Sequence, residues 1–552
     1  MKKFIALALM VSFVVSLTAC GDNNKNNSGY DLEIQCFDWA IYDGAKEDRI
    51  MEKLKEETGV NFYLSGINGQ DAYNKQLTMN VNTGAAPEVF FYAFGTDTSN
   101  VNYWAEEGLI KPLDDYLEDY PNLKTLLNSN QYKNLTASDG KHYFIPRLTT
   151  ANNWGIYTRK DWIDNLQKSG GKYSDVKYPA DDGTFTIDDF EYLMEAFTLG
   201  DPDGNGKNDT YGLTMGEQLF WGLPLMSAFC NYGWSVTGSN NENKDLTYSY
   251  TTEAFKNYIS WMEKMYSLGY IDKTYYENTT DEAKVSKFQR GKYGMLIANT
   301  GAFVPWIMSN AVFEAEDIMF IAPPKGSEKT GKEGSGGFMN FGGWWGGFFI
   351  SHNCRNIESA LKLLDYIYSV EGSHLINYGI EGVHYNLDDN GEIVVNLEER
   401  NKEPENTFSK GKDENGEEAN IGYVYWANYI TLPISEFSTT KITVLDTFEG
   451  YKKEEKKLAT EAAKMSNDHL KPIDELNSII FNFSGWSEDF SKKTAEMDDL
   501  VSIYATCMIT GNAYEGTRGL DNLWNKLQSA ISSKVATCKT NGIETLRGLG
   551  RW

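Results

Sequence analysis

LEIQCFDWAIYDGAKEDRIMEKLKEETGVNFYL, residues 32–64, decides the fold class. Leu32–Phe37 reads as a short strand. Ala45–Thr58 reads as a helix, because Ile50 and Leu54 stand four apart on one apolar face. Val60–Leu64 reads as the next strand. Working outward, Val89–Ala93 follows Pro87 as a third strand, and Ala105–Tyr116 holds a short helix and a turn. Strands and helices alternating at this spacing predict an α/β layer around a largely parallel sheet.

The same grammar recurs further on. Tyr143–Pro146, Gly155–Thr158, Gly294–Ala298 and Phe348–Ser351 read as strands, and Ile187–Phe197 as a helix. Ile357–Ser369 is a strongly amphipathic helix with Ala360, Leu363, Leu364 and Ile367 on one face. Gly326–Gly347 is rich in Gly and Ser and lacks regular periodicity. Residues 386–421 are acidic and carry Asp-Asn-Gly and Glu-Asn-Gly turn signals, as expected of a surface hairpin or insert. From about residue 440 the pattern is mainly helical.

The chain opens with Lys2 and Lys3, then an apolar run from Phe4 to Leu17. This is the pattern of an export signal, and it is shorter than the roughly 20 apolar residues a spanning helix needs. Leu17-Thr18-Ala19-Cys20 has the form of a lipobox. That resemblance implies cleavage after residue 19, with Cys20 carrying a palmitate-bearing diacylglyceryl thioether. Residues 21–29 are all Gly, Asp, Asn, Lys or Ser, too polar to fold and suited to a flexible tether.

The formal charge is −27, and loss of Lys2 and Lys3 makes it −29. Such a chain does not seek nucleic acid or an anionic membrane through its charge. Cys36, Cys230, Cys354, Cys507 and Cys538 are odd in number and contain no Cys-x-x-Cys pair, so buried free thiols are expected; a single Cys507–Cys538 disulfide is the alternative. There is no Gly-x-Ser-x-Gly elbow, no His-Glu-x-x-His and no phosphate loop, so no catalytic constellation is expected.

Four segments carry a resemblance: Ala86-Pro87-Glu88-Val89 with Glu107-Gly108-Leu109-Ile110-Lys111-Pro112-Leu113; Tyr157-Thr158-Arg159-Lys160-Asp161-Trp162; residues 201–213; and Glu371-Gly372 continuing to Asn377–Tyr385. Together and in this order the chain resembles the family-1 extracellular solute-binding proteins, in the lipoprotein branch common in Gram-positive bacteria. The resemblance implies a two-lobed, periplasmic-binding-protein-like α/β fold of type II, with discontinuous lobes and a ligand cleft between them. On that basis lobe one is expected at 30–148 plus 282–325, and lobe two at 149–281 plus 340–552. The crossings are expected near Pro146–Asn153, at Lys284–Phe288 and in the Gly-rich stretch, 326–339.

The Asp201–Asp209 loop carries the most distinct chemistry. Asp201, Asp203 and Asn205 stand at positions 1, 3 and 5 of an EF-hand-like loop, with Gly206 at 6, the Lys207 carbonyl at 7 and Asp209 at 9. Hard oxygen donors on a tight loop suit a structural Ca²⁺. Position 12 is Gly212 rather than a bidentate glutamate, and Glu217 is the carboxylate offered to complete the shell. A plain Asp/Gly turn is the other reading. No organic cofactor is expected.

For ligand, the Gly342-Gly343-Trp344-Trp345-Gly346-Gly347 cluster is the leading feature. Glycine lets backbone approach a ligand closely, and a Trp face can stack on a sugar ring; a hinge packed by Trp is the alternative. Ligands of open α/β sheets gather beyond strand carboxyl ends, which nominates Asp38, Trp39, Asn299, Thr300 and Arg147. Trp154, His384 and Tyr385 are further candidates, with Trp221, Trp234 and Trp306 of lower rank. The expected role is capture of a carbohydrate, an oligosaccharide in the first instance, by lobe closure. The expected partners are membrane permease subunits with a separate ATPase. The chain is expected to act as a lipid-anchored monomer on the extracytoplasmic face of the cell membrane. A surface glycoside hydrolase or lyase, or a binder of a peptide or other solute, is the alternative.

Overall fold

The computed structural model describes residues 31–552 apart from 38–47, 94–98, 130–131, 148–153, 180–183, 239–242, 300–302, 331–335, 338–345, 389–392, 405–406, 413–417, 424–452 and 469–484. Cys20, Asp38, Trp39, Thr300, Trp344 and Trp345 lie outside the described residues. Local chemistry places the elements. The first helix is Arg49–Thr58, started by Asp48, whose carboxylate accepts the Ile50 amide at 2.7 Å. The Ile187–Leu199 helix is started by a Thr186/Asp189 capping box. The expected 357–369 helix runs as Ile357–Ile367; Ser369 then caps a second helix, Val370–Tyr378. The acidic 386–421 stretch contributes to two hairpins, Tyr385–Leu387 with Ile393–Val395 and Phe408–Lys412 with Glu418–Tyr423.

Among the described residues nine strands build the two main sheets. In chain order β1 is Leu32–Phe37, β2 Phe62–Ile67, β3 Val89–Ala93, β4 Phe144–Pro146 and β5 Trp154–Arg159. Then come β6, Tyr211–Thr214; β7, Tyr293–Asn299; β8, Ile318–Ile321; and β9, Gly346–Ile350. The first sheet has the order β2-β1-β3-β9-β4, and the second β8-β5-β7-β6. Only β1 with β2 and β3, and β6 with β7, pair in parallel; β9 and β5 run antiparallel to their neighbours. The largely parallel expectation therefore gives way to mixed sheets, for a topological reason. β5 and β9 each arrive from the other lobe, so they start at the edge where the outgoing strands end.

Strand pairing also corrects the lobes. Segment 282–325 was expected in lobe one, yet its strands β7 and β8 flank β5 in the second sheet. Segment 340–552 was expected in lobe two, yet its β9 is the central partner of β3 and β4 in the first. Lys284–Phe288 is not a crossing: it lies inside the Asp281–Gln289 helix, which packs on β7. The chain passes between lobes from Arg147 to Trp154, from Ile321 to Gly346, and again between Tyr423 and Lys453.

Each lobe has its own core. Phe90, Phe91, Phe348, Phe349, Trp104 and Leu364 are fully buried in the first. Ile156, Trp162, Leu213 and Ile297 anchor the second, and the C-terminal helices Glu488–Thr510 and Leu520–Gly548 add Met497, Val501 and Leu527 to it. Cys36, Cys354 and Cys538 are buried and Cys230 and Cys507 half-buried, and Cys507 and Cys538 form no disulfide with each other. Among the described residues no helix is long and apolar enough to cross a membrane.

Candidate functional site

The strand directions fix where the two sheets face each other. In the first, β3 and β4 end, and β9 begins, at one edge: Ala93 pairs with Gly346, whose carbonyl accepts the Arg147 amide at 2.9 Å. In the second, β7 ends and β5 begins at the matching edge, where Trp154 pairs with Asn299. Both interlobe passages that bracket the second sheet leave from these edges, so the edges border the cleft. Arg147 and Asn299 follow or close strands at these edges, and Trp154 stands at the start of β5.

An aromatic group forms on the second lobe's side. The Trp154 and Trp221 rings stack with centroids 4.8 Å apart and planes at 28°. Phe303 meets Trp154 edge-on at 6.4 Å and Trp306 at 5.2 Å. Trp306 is exposed, Trp154 half-buried and Trp221 buried. Gly216 explains how Trp221 fits: a Cβ there would lie 2.5 Å from the indole, so only glycine lets the ring lie on the backbone. Beside Trp154, the buried Asn299 side-chain oxygen has no hydrogen-bond partner among the described residues. Such an orphan acceptor is costly unless a ligand or water satisfies it. Trp234 does not join this group; it packs on Tyr248 and Phe490 in the core.

Lys284 was not found by sequence reasoning. Its ammonium is fully buried, 2.9 Å from the Trp221 ring centroid and 4.4 Å from that of Trp154. Asp281 Oδ1 lies 2.8 Å away, but without the alignment of a hydrogen bond. Burial depresses the Lys284 ammonium to about 7, with Asp281 acting in the opposite sense. Its one mark in the sequence is its place with Val285 and Phe288 on the buried stripe of the helix.

His384 and Tyr385 do not reach the cleft. Nδ1 of His384 accepts the Ile380 amide at 2.9 Å and Nε2 meets Glu403 at 2.9 Å, with the side chain fully buried. Tyr385 is buried between the rings of His374 and Tyr378. Both serve packing within the first lobe, a role their sequence motif does not distinguish from ligand contact.

The aspartate loop lies at the other end of the second lobe, ahead of β6 and beside Lys292 at the start of β7. Asp201 holds a left-handed φ of 49° and accepts the Asn205 and Gly206 amides at 3.1 and 3.0 Å. The Asn205 amide bridges Asp203 and Asp209 at 2.8 and 3.0 Å. Lys292 Nζ lies 2.7 Å from Asp209 and 3.7 Å from Asp203, and it holds the Asp209 carboxyl below its usual range. The donors fit a hard cation in kind, and an ammonium already stands against two of the carboxylates. Among the described residues no group of three or more His, Cys, Asp or Glu side chains is gathered as a ready metal site. Glu217 cannot complete the shell: it follows the far end of β6, and four strand residues alone span about 13 Å.

Residues 41–373 match the bacterial extracellular solute-binding protein family. The chain belongs to that family. This solute-binding protein is 28% identical over 397 residues to the polygalacturonan/rhamnogalacturonan-binding protein YtcQ of Bacillus subtilis, covering 70% of this chain and 74% of YtcQ. It is 24% identical over 408 residues to the fructooligosaccharide ABC transporter substrate-binding protein FusA of Streptococcus pneumoniae, covering 68% and 70% of the two chains. In fold it is similar to an HMO-binding, ABC-transporter-associated solute-binding protein of Bifidobacterium longum infantis, with a TM-score of 0.63 at 17% identity, covering 93% and 99%. Membership makes the chain an extracellular binder of solute rather than an enzyme, and two α/β lobes are the architecture of that likeness.

Proposed function

We propose that this solute-binding protein captures an oligosaccharide between its lobes and delivers it to membrane permease subunits whose ATPase is a separate chain. The observation that carries this reading is the Trp154–Trp221 pair at the cleft edge, flanked by the unpaired acceptor of Asn299. An indole face takes the apolar C–H face of a sugar ring, while directed polar groups take its hydroxyls. Arg147 supplies a donor from the opposite lobe. Asp38, Trp39, Thr300, Trp344 and Trp345 are proposed to complete the site, because the strands that adjoin them end or begin at these edges. The sugar-binding names of YtcQ and FusA support the same class of ligand. Closure of the lobes then shifts an open–closed equilibrium toward the delivered state.

The chain is proposed to act as a monomer, tethered through acylated Cys20. Labelled palmitate is expected in the wild-type protein and absent from C20S; label retained in C20S refutes the anchor. Asp201, Asp203, Asn205, the Lys207 carbonyl and Asp209 are proposed to hold a structural Ca²⁺, with Lys292 and the Asn205 amide turning aside. A solved structure of a FusA EF-hand mutant, with a TM-score of 0.59 to this chain, is in keeping with such a loop in this fold. At that position, remote from the cleft edge, the ion stabilises the lobe and takes no part in ligand contact.

A thermal scan of the mature chain against defined oligosaccharides, with and without Ca²⁺, tests both readings. A sugar at a hundredfold its Kd adds about 2.7 kcal/mol of stability, a rise of a few degrees, and is recovered intact. Ca²⁺ is expected to raise the midpoint in the absence of sugar, and this rise is lost in D203N. A midpoint moved only by peptides overturns the carbohydrate assignment.

A further inference from the structure

We infer that Lys284 is a positioning residue of the ligand platform, its ammonium clamping the Trp154–Trp221 pair in the orientation that receives a sugar ring. The inference rests on reading that pair as the stacking surface. Three observations carry it. With the ring centroids 4.8 Å apart, an ammonium on the far face of Trp221 could not also lie 4.4 Å from Trp154, so the nitrogen stands over the same face of Trp221 that Trp154 covers. There it attracts both π-systems where water is excluded and the interaction is strongest.

The placement is also unfavourable on any purely structural account. A fully buried ammonium is costly, and an apolar side chain of the same length would fill the space. Lys284 further stands in the first turn of the Asp281–Gln289 helix, where the helix dipole opposes a cation. Asp281, its one ionic partner among the described residues, is about a third exposed and poorly aligned.

Finally, Trp221 is held from beneath by the backbone of Gly216. The Gly216 backbone and the Lys284 ammonium over its face fix the buried indole, and Trp154 is the half-exposed ring of the pair. The charged and titratable groups around Lys284 are few. On its own helix they are Asp281, Glu282 and Lys287, the last tied to Asp272 at 2.8 Å. On β7, β6 and the Val304–Met308 helix they are Tyr293 and Tyr211 alone.

The test compares W154A, K284M and K284R with the wild type, using tri-galacturonate and kestose as acidic and neutral probes and intrinsic tryptophan fluorescence as a ligand-free readout. K284M is expected to stay folded and to bind the sugar that the wild type binds about tenfold more weakly. K284R restores most of that affinity. Wild-type fluorescence and affinity change together as pH rises through neutrality, and K284M shows neither change. W154A binding as well as the wild type overturns the platform reading, and the role of Lys284 with it. W154A weakened while K284M keeps full affinity and the pH-dependent fluorescence overturns the role of Lys284 alone. If K284M does not fold, the wild-type fluorescence titration and K284R decide: a flat titration, or K284R binding no better than W154A, overturns the inference.

Discussion

At pH 7 the Lys284→Met protein is expected to be more stable than the wild type by about 3–4 kcal/mol, with the gap narrowing to about 1 kcal/mol by pH 10. Burial holds the folded-state ammonium at about 7, against 10.5 for an unhindered lysine. Between those values the unfolded chain binds the proton and the folded chain does not, so stability rises with pH. The penalty is therefore full below about pH 7, shrinks across the interval and is absent above 10.5. Methionine never bears it. Denaturant midpoints at both pH values check the claim. A variant less stable at pH 7, or a gap that does not change with pH, shows that the lysine is not a strained buried cation. The same substitution is expected to bind sugar worse, which is the pattern of a residue kept for function at a cost in stability.

Phe349→Ala is expected to destabilise the first lobe by about 3–5 kcal/mol. The ring is fully buried, stacked on Phe90 at 5.4 Å and on Phe144 at 5.2 Å, with Trp104 edge-on at 6.1 Å. Phe90, Phe144 and Trp104 are rigid rings that close poorly over the space left behind. Hydrogen exchange distinguishes the lobes: β1 and β3 amides are expected to lose protection while those of β7 keep it. The reverse result would return β9 to the second lobe and overturn the partition drawn from strand pairing.

The elements were legible where local rules act. The helix expected from Ile187 starts there, capped by Thr186, while the helix expected from Ala45 to Thr58 is described from Arg49, capped by Asp48. The places of Arg147 and Asn299 at strand ends could be read from periodicity, whereas the stacking of Trp154 on Trp221 could not. His384 and Tyr385 were not separable from core, since an aromatic pair beside glycines looks the same facing a cleft or facing Phe408 and Tyr378. Lys284 was invisible because its meaning comes from Trp154 and Trp221, which lie far from it in the chain.

The sequence by itself determined the α/β class, most of the elements, the family resemblance and the acidic character of the chain. It did so because helix and strand periods, caps and turn residues act over a few positions. Only the tertiary structure decided which sheet each returning strand joins, and so which segments make up each lobe. A run such as Gly346–Ile350, buried on both faces, suits either sheet equally; its place is chosen by β3 and β4, more than 190 residues away. Packing likewise decided that a lysine lies against two stacked tryptophans, because residues 154, 221 and 284 meet only in the folded lobe.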